Sequence, residues 1–354
     1  MNQRENMVVL EEEVEELKQS LPKINWMGSK IQLLKIQNFW YPCIHLSNLL
    51  TFQKHFIAQD TDLLVTSFPK TGTTWLKSLL YSITNRSLKP PKQSPLLVHN
   101  PHELVYDLES GVYGGNPKLP RPHQLNDLPT PRLLHSHFPY ASLPESIKTS
   151  NAKILYISRN PLDTLVSHWH FYPNAIRRVL TDMEGSDDQD FQPPKIEDFF
   201  EEFCQGTVLF GSFFDHVVGY WKKSLEEPNK VLFLKYEDLK ENPVLYVKKL
   251  AEFIGMPFSI QEESEGVIEQ IIELCSIKNL KEQEINKSGL LNKYMENKTF
   301  FRNGVVGDWT QYITAPMLEK MNKLMEQHFG GTGLSFKLQL GRQRVWYFYP
   351  IIIV

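Results

Sequence analysis

The chain has 354 residues, 41% hydrophobic and 12% aromatic, with a formal net charge of −3. That composition supplies a sizeable core and excludes global disorder. The charge excludes a bulk basic field for nucleic acid, so no nucleic-acid partner is expected and any basic site is local.

Residues 1–60 read as an N-terminal arm. Its start, residues 1–20, is a weakly amphipathic acidic helix carrying Glu11, Glu12, Glu13, Glu15 and Glu16, with no apolar signal-peptide core. The aromatic segment Phe39-Trp40-Tyr41-Pro42 follows. No stretch approaches the roughly 18 apolar residues of a membrane span, so a cytoplasmic chain without a membrane partner is expected. Cys43, Cys204 and Cys275 are odd in number and far apart, which suits reduced cytosolic thiols better than a disulfide framework.

Three strand patterns then run into turn signals and helices. Leu63–Phe68 leads to a turn at Lys70, Lys153–Ser158 to Arg159-Asn160-Pro161, and Val231–Lys235 to Tyr236-Glu237-Asp238. Short strands alternating with longer helical patterns imply an α/β fold: a central parallel sheet flanked by crossover helices. Length alone permits one domain or two. No boundary is clean, so a single domain over 61–340 is expected. After the first strand, Trp75, Leu76, Leu79, Leu80 and Ile83 mark one helix face. Asn242-Pro243 reads as an N-cap with proline in the first turn; Val244, Val247, Ala251 and Ile254 mark the buried face and Gly255 the stop. Two long polar stretches, 89–131 and the acidic 181–194, read as lids, binding loops or insertions without structure of their own. Residues 341–354 form an atypical apolar tail, too short to cross a bilayer and broken by Pro350.

The most informative segment is Thr66-Ser67-Phe68-Pro69-Lys70-Thr71-Gly72-Thr73-Thr74-Trp75. A buried strand, a glycine turn and a helix N-terminus gather unpaired N–H groups, hydroxyls and one ammonium, which is a P-loop-like anion site. The nucleoside-triphosphate loop places Lys after its second Gly. Here Lys70 precedes Gly72 and no G-K-[ST] occurs, so the loop suits an anion but not the usual Mg-ATP chemistry. Ligands of parallel α/β sheets bind beyond the strand carboxyl ends. The Lys70 loop, Arg159 with Ser167 further along its helix, and Tyr236 all fall there, which suggests a ligand with two phosphate-type groups and a base. The pairs His135/His137 and His168/His170 lack the cysteines and spacing of a structural zinc site, and no metal is expected.

Together with Arg159-Asn-Pro-Leu-Asp-Thr-Leu-Val-Ser167, the Lys70 loop resembles the cytosolic sulfotransferases, plant type. The loop is similar to that family's 5′-phosphosulfate loop and 159–167 to its 3′-phosphate motif. Phe300-Phe301-Arg302-Asn303-Gly304-Val305-Val306-Gly307-Asp308-Trp309 is similar to its Arg-Lys-Gly…Gly-Asp-Trp stretch. The resemblance spans about residues 36–340 and ends near Leu338, leaving the tail without a counterpart. It implies 3′-phosphoadenosine 5′-phosphosulfate (PAPS) as donor and a small hydroxylated acceptor. By resemblance, the amides of 71–75, including Thr71 and Gly72, and the hydroxyls of Thr73 and Thr74 cradle the 5′-phosphate, while Trp75 stacks on adenine. Arg159, Ser167 and Arg302, with Asn303 and Gly304, hold the 3′-phosphate; Tyr236 and Ser276 or Cys275 lie near the base. His137, in Leu134-His135-Ser136-His137-Phe138-Pro139, matches the family's His-Leu-Pro motif and implies a general base. Lys70 implies stabilisation of the leaving phosphate, and Ser167 is a further catalytic candidate.

Some positions depart from the family. Asn303 stands where Lys is usual, Ile277 replaces a frequent Phe, and His135 falls where many relatives carry Lys. Thr310-Gln-Tyr-Ile-Thr-Ala-Pro-Met-Leu-Glu319 matches the dimerisation motif only in part, implying a monomer or weak homodimer. His168, Trp169 and His170 are expected to pack or line the pocket. Two rival readings are a nucleotide-binding relative without turnover and a small-molecule kinase.

Overall fold

The computed structural model describes residues 12, 14–184 and 191–339. The 341–354 tail, most of the acidic start and the middle of the 181–194 stretch lie outside the described residues.

After helical residues 14–20 the described chain forms three antiparallel strands, β1 (Lys23–Asn25), β2 (Gln32–Ile36) and β3 (Phe39–Pro42), followed by helix α1 (Leu46–His55). The aromatic run is thus a strand. Trp40 donates its N–H to Gly211 O at 3.2 Å, and Phe210 returns one to Trp40 O at 2.8 Å. Trp40, Tyr41, Leu49 and Phe52 share one buried cluster with Leu64, Ile154 and Tyr156 of the main sheet, so the N-terminal segment packs into the core.

The main sheet holds β4 (Leu63–Ser67), β5 (Tyr106–Asp107), β6 (Leu133–Ser136), β7 (Lys153–Ser158) and β8 (Val231–Lys235). The order is β5-β6-β4-β7-β8, all parallel. The single α/β domain and central parallel sheet are as expected. β4 and β7 are mostly apolar because packing covers both faces. Leu63, Val65, Leu155 and Ile157 enter one core, while Leu64, Ile154 and Tyr156 enter the other. That is the two-residue alternation of a strand buried on both sides.

Helix α2 (Thr73–Asn85) buries Leu76, Leu79, Leu80 and Ile83, and Trp75 is half-buried. Helix α3 (Pro161–Glu184) runs through Pro173, so the 181–194 stretch begins as helix rather than loop. Helices α4 (Phe213–Glu226), α5 (Tyr236–Glu241), α6 (Pro243–Phe253) and α7 (Ala315–Phe329) follow. On α6, Val247 and Ala251 are buried, but Val244 in the first turn is 39% exposed and the Asn242 side chain makes no capping bond. The helix packs from its second turn onward, which periodicity cannot show.

Residues 89–131 are not structureless. They contain β5 and several short helical turns, including Pro101–Leu104. β5 pairs with β6 through Tyr106↔Leu134 and Asp107↔His135. A two-residue strand is too short to reveal a period, and His135-Ser136 interrupts the apolar signal of β6. Among the described residues no helix is long and apolar enough to cross a membrane.

Candidate active site

The Lys70 loop leaves β4 with Lys70 itself in the left-handed region at φ 71°, an uncommon conformation for a residue with a Cβ. Gly72 has φ 116°, and a Cβ there would meet Tyr236 Cδ2 at 2.7 Å and Ile157 Cδ1 at 3.0 Å. Gly72 is the N-cap of α2, and no side chain caps it. The N–H groups of the first helical turn, which have no intrahelical acceptor, are therefore left to an anion. Thr71 Oγ1 lies 2.8 Å from both the Phe68 and Ile157 carbonyls, pinning the loop to β7. Its side chain points into the protein, so only its backbone amide can serve a ligand. Thr73 Oγ1 lies 2.7 Å from Ser67 Oγ, and Thr74 Oγ1 lies 3.0 Å from His102 Nε2.

Every residue that the sequence placed in the site, Thr71 excepted, lines one cavity of about 870 Å³. Arg159 pairs with Asp163 at 3.1 Å and donates to the Val305 carbonyl, and Arg302 pairs with Asp308 at 2.5 Å. The Nε atoms of both arginines are buried without a hydrogen-bond partner. Asn303 donates to Asp308 Oδ1 at 3.1 Å. Tyr236 OH donates to Gly304 O at 2.8 Å, and its ring meets Trp75 edge-on at 5.3 Å. Ser276 lines the cavity, but its hydroxyl accepts from Asn279 N at 3.2 Å as a helix cap. Cys275 is buried beside Ser82 Oγ, with sulfur and oxygen 3.3 Å apart.

Asp163 was not singled out from the sequence. It accepts from Gly307 N at 2.9 Å, Trp309 N at 3.1 Å and Asn160 Nδ2 at 2.9 Å, tying the 302–309 segment to the start of α3. The signal available was an acidic residue in a first helical turn.

His137, in the same cavity, stands just beyond β6. Its Nδ1 lies 2.8 Å from Ser67 O, which makes Nδ1 the donor and leaves Nε2 as a lone pair. Its N–H donates to Glu109 Oε1 at 2.5 Å, and its carbonyl accepts from His216 Nε2 at 3.0 Å. His216 Nδ1 in turn accepts from Tyr156 OH at 2.9 Å. Burial lowers His137 to about 4, opposed by the Asp107 charge. Burial, then the Arg302 and Arg159 charges, lower Lys70 to about 7. Its ammonium lies 3.4 Å from the centroid of the Phe171 ring, a cation–π contact.

His135 donates from Nδ1 to Asp107 Oδ2 at 3.0 Å rather than facing the cavity. Donor atoms of Asp107, His135 and His137 lie within 4.8 Å of one another, close enough for a cation, but His135 and Asp107 bond each other and His137 bonds Ser67. His168 is fully buried against Tyr172, Phe199 and Phe68, and Trp169 Nε1 donates to Pro194 O at 2.8 Å. Lys77, His102, Glu109 and His216 also escaped the sequence reading. Lys77 alone left a trace, a lysine on the apolar side of α2.

A parallel sheet with a cation-lined cavity at its carboxyl edge and an imidazole in the same cavity suits an anionic ligand. Residues 60–333 match the sulfotransferase domain. The chain is 44% identical over 331 residues to cytosolic sulfotransferase 5 of Arabidopsis thaliana, covering 92% of this chain and 97% of that protein. It is 40% identical over 330 residues to flavonol 3-sulfotransferase of Flaveria bidentis, covering 92% and 100%. Among solved structures, a candidate steroid sulphotransferase of Arabidopsis thaliana aligns with TM-score 0.68 and 35% identity over 93% of this chain and 96% of that one. A mouse sulfotransferase complexed with PAP, the desulfated donor, aligns with TM-score 0.63 and 25% identity over 85% and 95%. The chain belongs to the sulfotransferase family, plant cytosolic type, and is an enzyme that uses PAPS.

Proposed function

We propose that the protein transfers the sulfuryl group of PAPS to a hydroxyl of a small cytoplasmic metabolite, with His137 as general base and Lys70 at the leaving phosphate. The observation that carries the reading is the His137 Nδ1–Ser67 O bond at 2.8 Å. It keeps the Nε2 lone pair available in the same cavity as Lys70.

The donor supplies an activated sulfuryl group on a phosphate leaving group. An acceptor hydroxyl is a poor nucleophile while protonated, and His137, neutral at cytosolic pH, takes its proton at Nε2. The Ser67 carbonyl holds the ring through that change, and the Asp107 charge favours the resulting imidazolium. Lys70 offsets negative charge that grows on the bridging oxygen, so it acts on rate more than on binding. Arg159 and Arg302, each held by a carboxylate, present guanidinium edges to the 3′-phosphate with Ser167, Asn303 and Gly304. Trp75 and Tyr236 flank the adenine; Ser276 stands near it and contributes shape rather than a hydroxyl bond.

Trp26, Ile31, Tyr172, Leu209 and Phe210 line the same cavity, which supports a flat apolar acceptor body. Phenols, flavonoids, steroid-like compounds and desulfoglucosinolates are the acceptors to try. The partly matching Thr310–Glu319 motif supports a monomer or weak homodimer. The test is turnover of labelled PAPS with that panel, with and without EDTA. Lys70→Ala or His137→Ala retaining full turnover on an accepted compound would remove the mechanism.

One observation favours a second reading, donor binding without turnover. Asn303 adds no charge and leans on Asp308. Tight PAP binding without transfer to any acceptor would select it, whereas ATP competing better than AMP would select a kinase.

A further inference from the structure

Behind the phosphate loop runs a buried polar chain that the mechanism above does not use. Lys77, on α2, is fully buried. Its ammonium donates to Val105 O at 3.1 Å and lies 3.1 Å from His102 Nδ1. His102 sits on the helical turn Pro101–Leu104, with Phe300 packed on its ring at 4.3 Å between centroids. Its other nitrogen, Nε2, lies 3.0 Å from Thr74 Oγ1, and Thr74 lines the cavity.

The direction of each bond follows from what each group can do. An ammonium has three protons and no lone pair, so His102 Nδ1 must accept. A neutral imidazole then carries its one proton on Nε2, and that proton goes to Thr74 Oγ1. Thr74 receives a bond there and makes no other side-chain hydrogen bond among the described residues. Its own proton is left to point into the cavity at the start of α2. If the imidazole carried its proton on Nδ1 instead, Nε2 would take the threonine proton, and an anion in the cradle would meet an oxygen lone pair.

We propose that Lys77 and His102 are positioning residues that set the Thr74 hydroxyl as a donor to the 5′-phosphate of the sulfuryl donor. The inference rests on the donor-binding reading given above. Neither residue need touch the nucleotide; both act through one hydroxyl.

The experiment is calorimetric titration with PAP of the wild type, Lys77→Met, Thr74→Val, their double variant and His102→Gln. Lys77→Met and Thr74→Val should each weaken binding about ten-fold, the usual scale for one hydrogen bond to a charged group. If both act through the same hydroxyl, the double variant binds within about two-fold of Thr74→Val alone. His102→Gln should keep wild-type affinity, because a glutamine amide can accept from Lys77 and donate to Thr74. Unchanged binding by folded Lys77→Met, or losses that multiply in the double variant, would overturn the inference. Should Lys77→Met not fold, the same cycle with Lys77→Leu decides by the same criteria. A wild type that does not bind PAP overturns the donor-site reading itself, which separates the two failures.

Discussion

The carbonyl of Ser67, the last residue of β4, accepts the Nδ1 proton of His137 from the end of the neighbouring strand β6. The two strands are in parallel register from Leu63↔Leu133 to Thr66↔Ser136. One strand end therefore launches the phosphate loop and fixes the tautomer of the imidazole. A carbonyl partner on one ring nitrogen is how a histidine is held with its other nitrogen free to take a proton.

His137→Gln should lower transfer by about 10²–10⁴-fold, the range of general-base catalysis. PAP affinity should stay within about two-fold of wild type, since the base does not hold the donor. Steady-state rates and calorimetry on the same preparation check this. A parallel loss of PAP affinity would mean that the ring supports the cradle instead.

Lys70 gives a proton-linkage prediction. Its folded value is about 7, far below the ordinary 10.5, because burial and the neighbouring guanidinium groups disfavour its charge. An anionic ligand reverses that balance and raises it. Above pH 7 the free site holds less than a full proton there, so PAP binding takes one up and affinity falls as pH rises from about 7 to 9. Titrations in buffers of different ionisation enthalpy should show uptake in that window, and Lys70→Met should abolish it.

Asp163 is fully buried and joins Arg159 to the backbone of Gly307 and Trp309. Asp163→Asn removes the charge and leaves Arg159 without its anion. The expected cost is about 3–5 kcal/mol of stability, the scale of breaking a buried pair. Hydrogen exchange should speed up most over 302–309. Uniform acceleration across the molecule would show that Asp163 has no special hold on that segment.

Both ring nitrogens of His168 are buried without a partner, and burial holds its value well below 6.5. Between 6.5 and that lower value the unfolded chain binds more protons, so stability is lost as pH falls through 6.5. His102, His135, His137 and His216 shift the same way. His168→Phe keeps the aromatic packing and removes two unsatisfied atoms. It should gain about 1 kcal/mol at pH 7.5, with a wider margin at pH 5.5. Thermal melts across that range check it, and a constant margin would count against the linkage.

Much of the fold was legible because β4, β7 and β8 are apolar runs ending in turn residues. That pattern is local, and the sheet-edge rule then assembles the ends into one site. β5 and β6 were not legible. Tyr106–Asp107 is too short for any period, and β6 carries His135 and Ser136 where an apolar reading expects more leucine. The motif assigned Thr71 by its backbone amide, and only the structure shows its hydroxyl turned to the Phe68 and Ile157 carbonyls. A motif gives residue types in order but not the direction in which each side chain turns.

The sequence by itself determined the anion loop, the parallel α/β class and the strand ends that carry Lys70, Arg159 and Tyr236, since spacing and residue chemistry are properties of the chain; Arg302 and His137 entered through the family resemblance. Only the tertiary structure decided which groups act on one another. It joined Ser67 to His137, Asp163 to Gly307 and Lys77 to His102 across long stretches of chain. Hydrogen-bond direction, burial and the resulting proton affinities depend on those distant neighbours, and no local pattern encodes them.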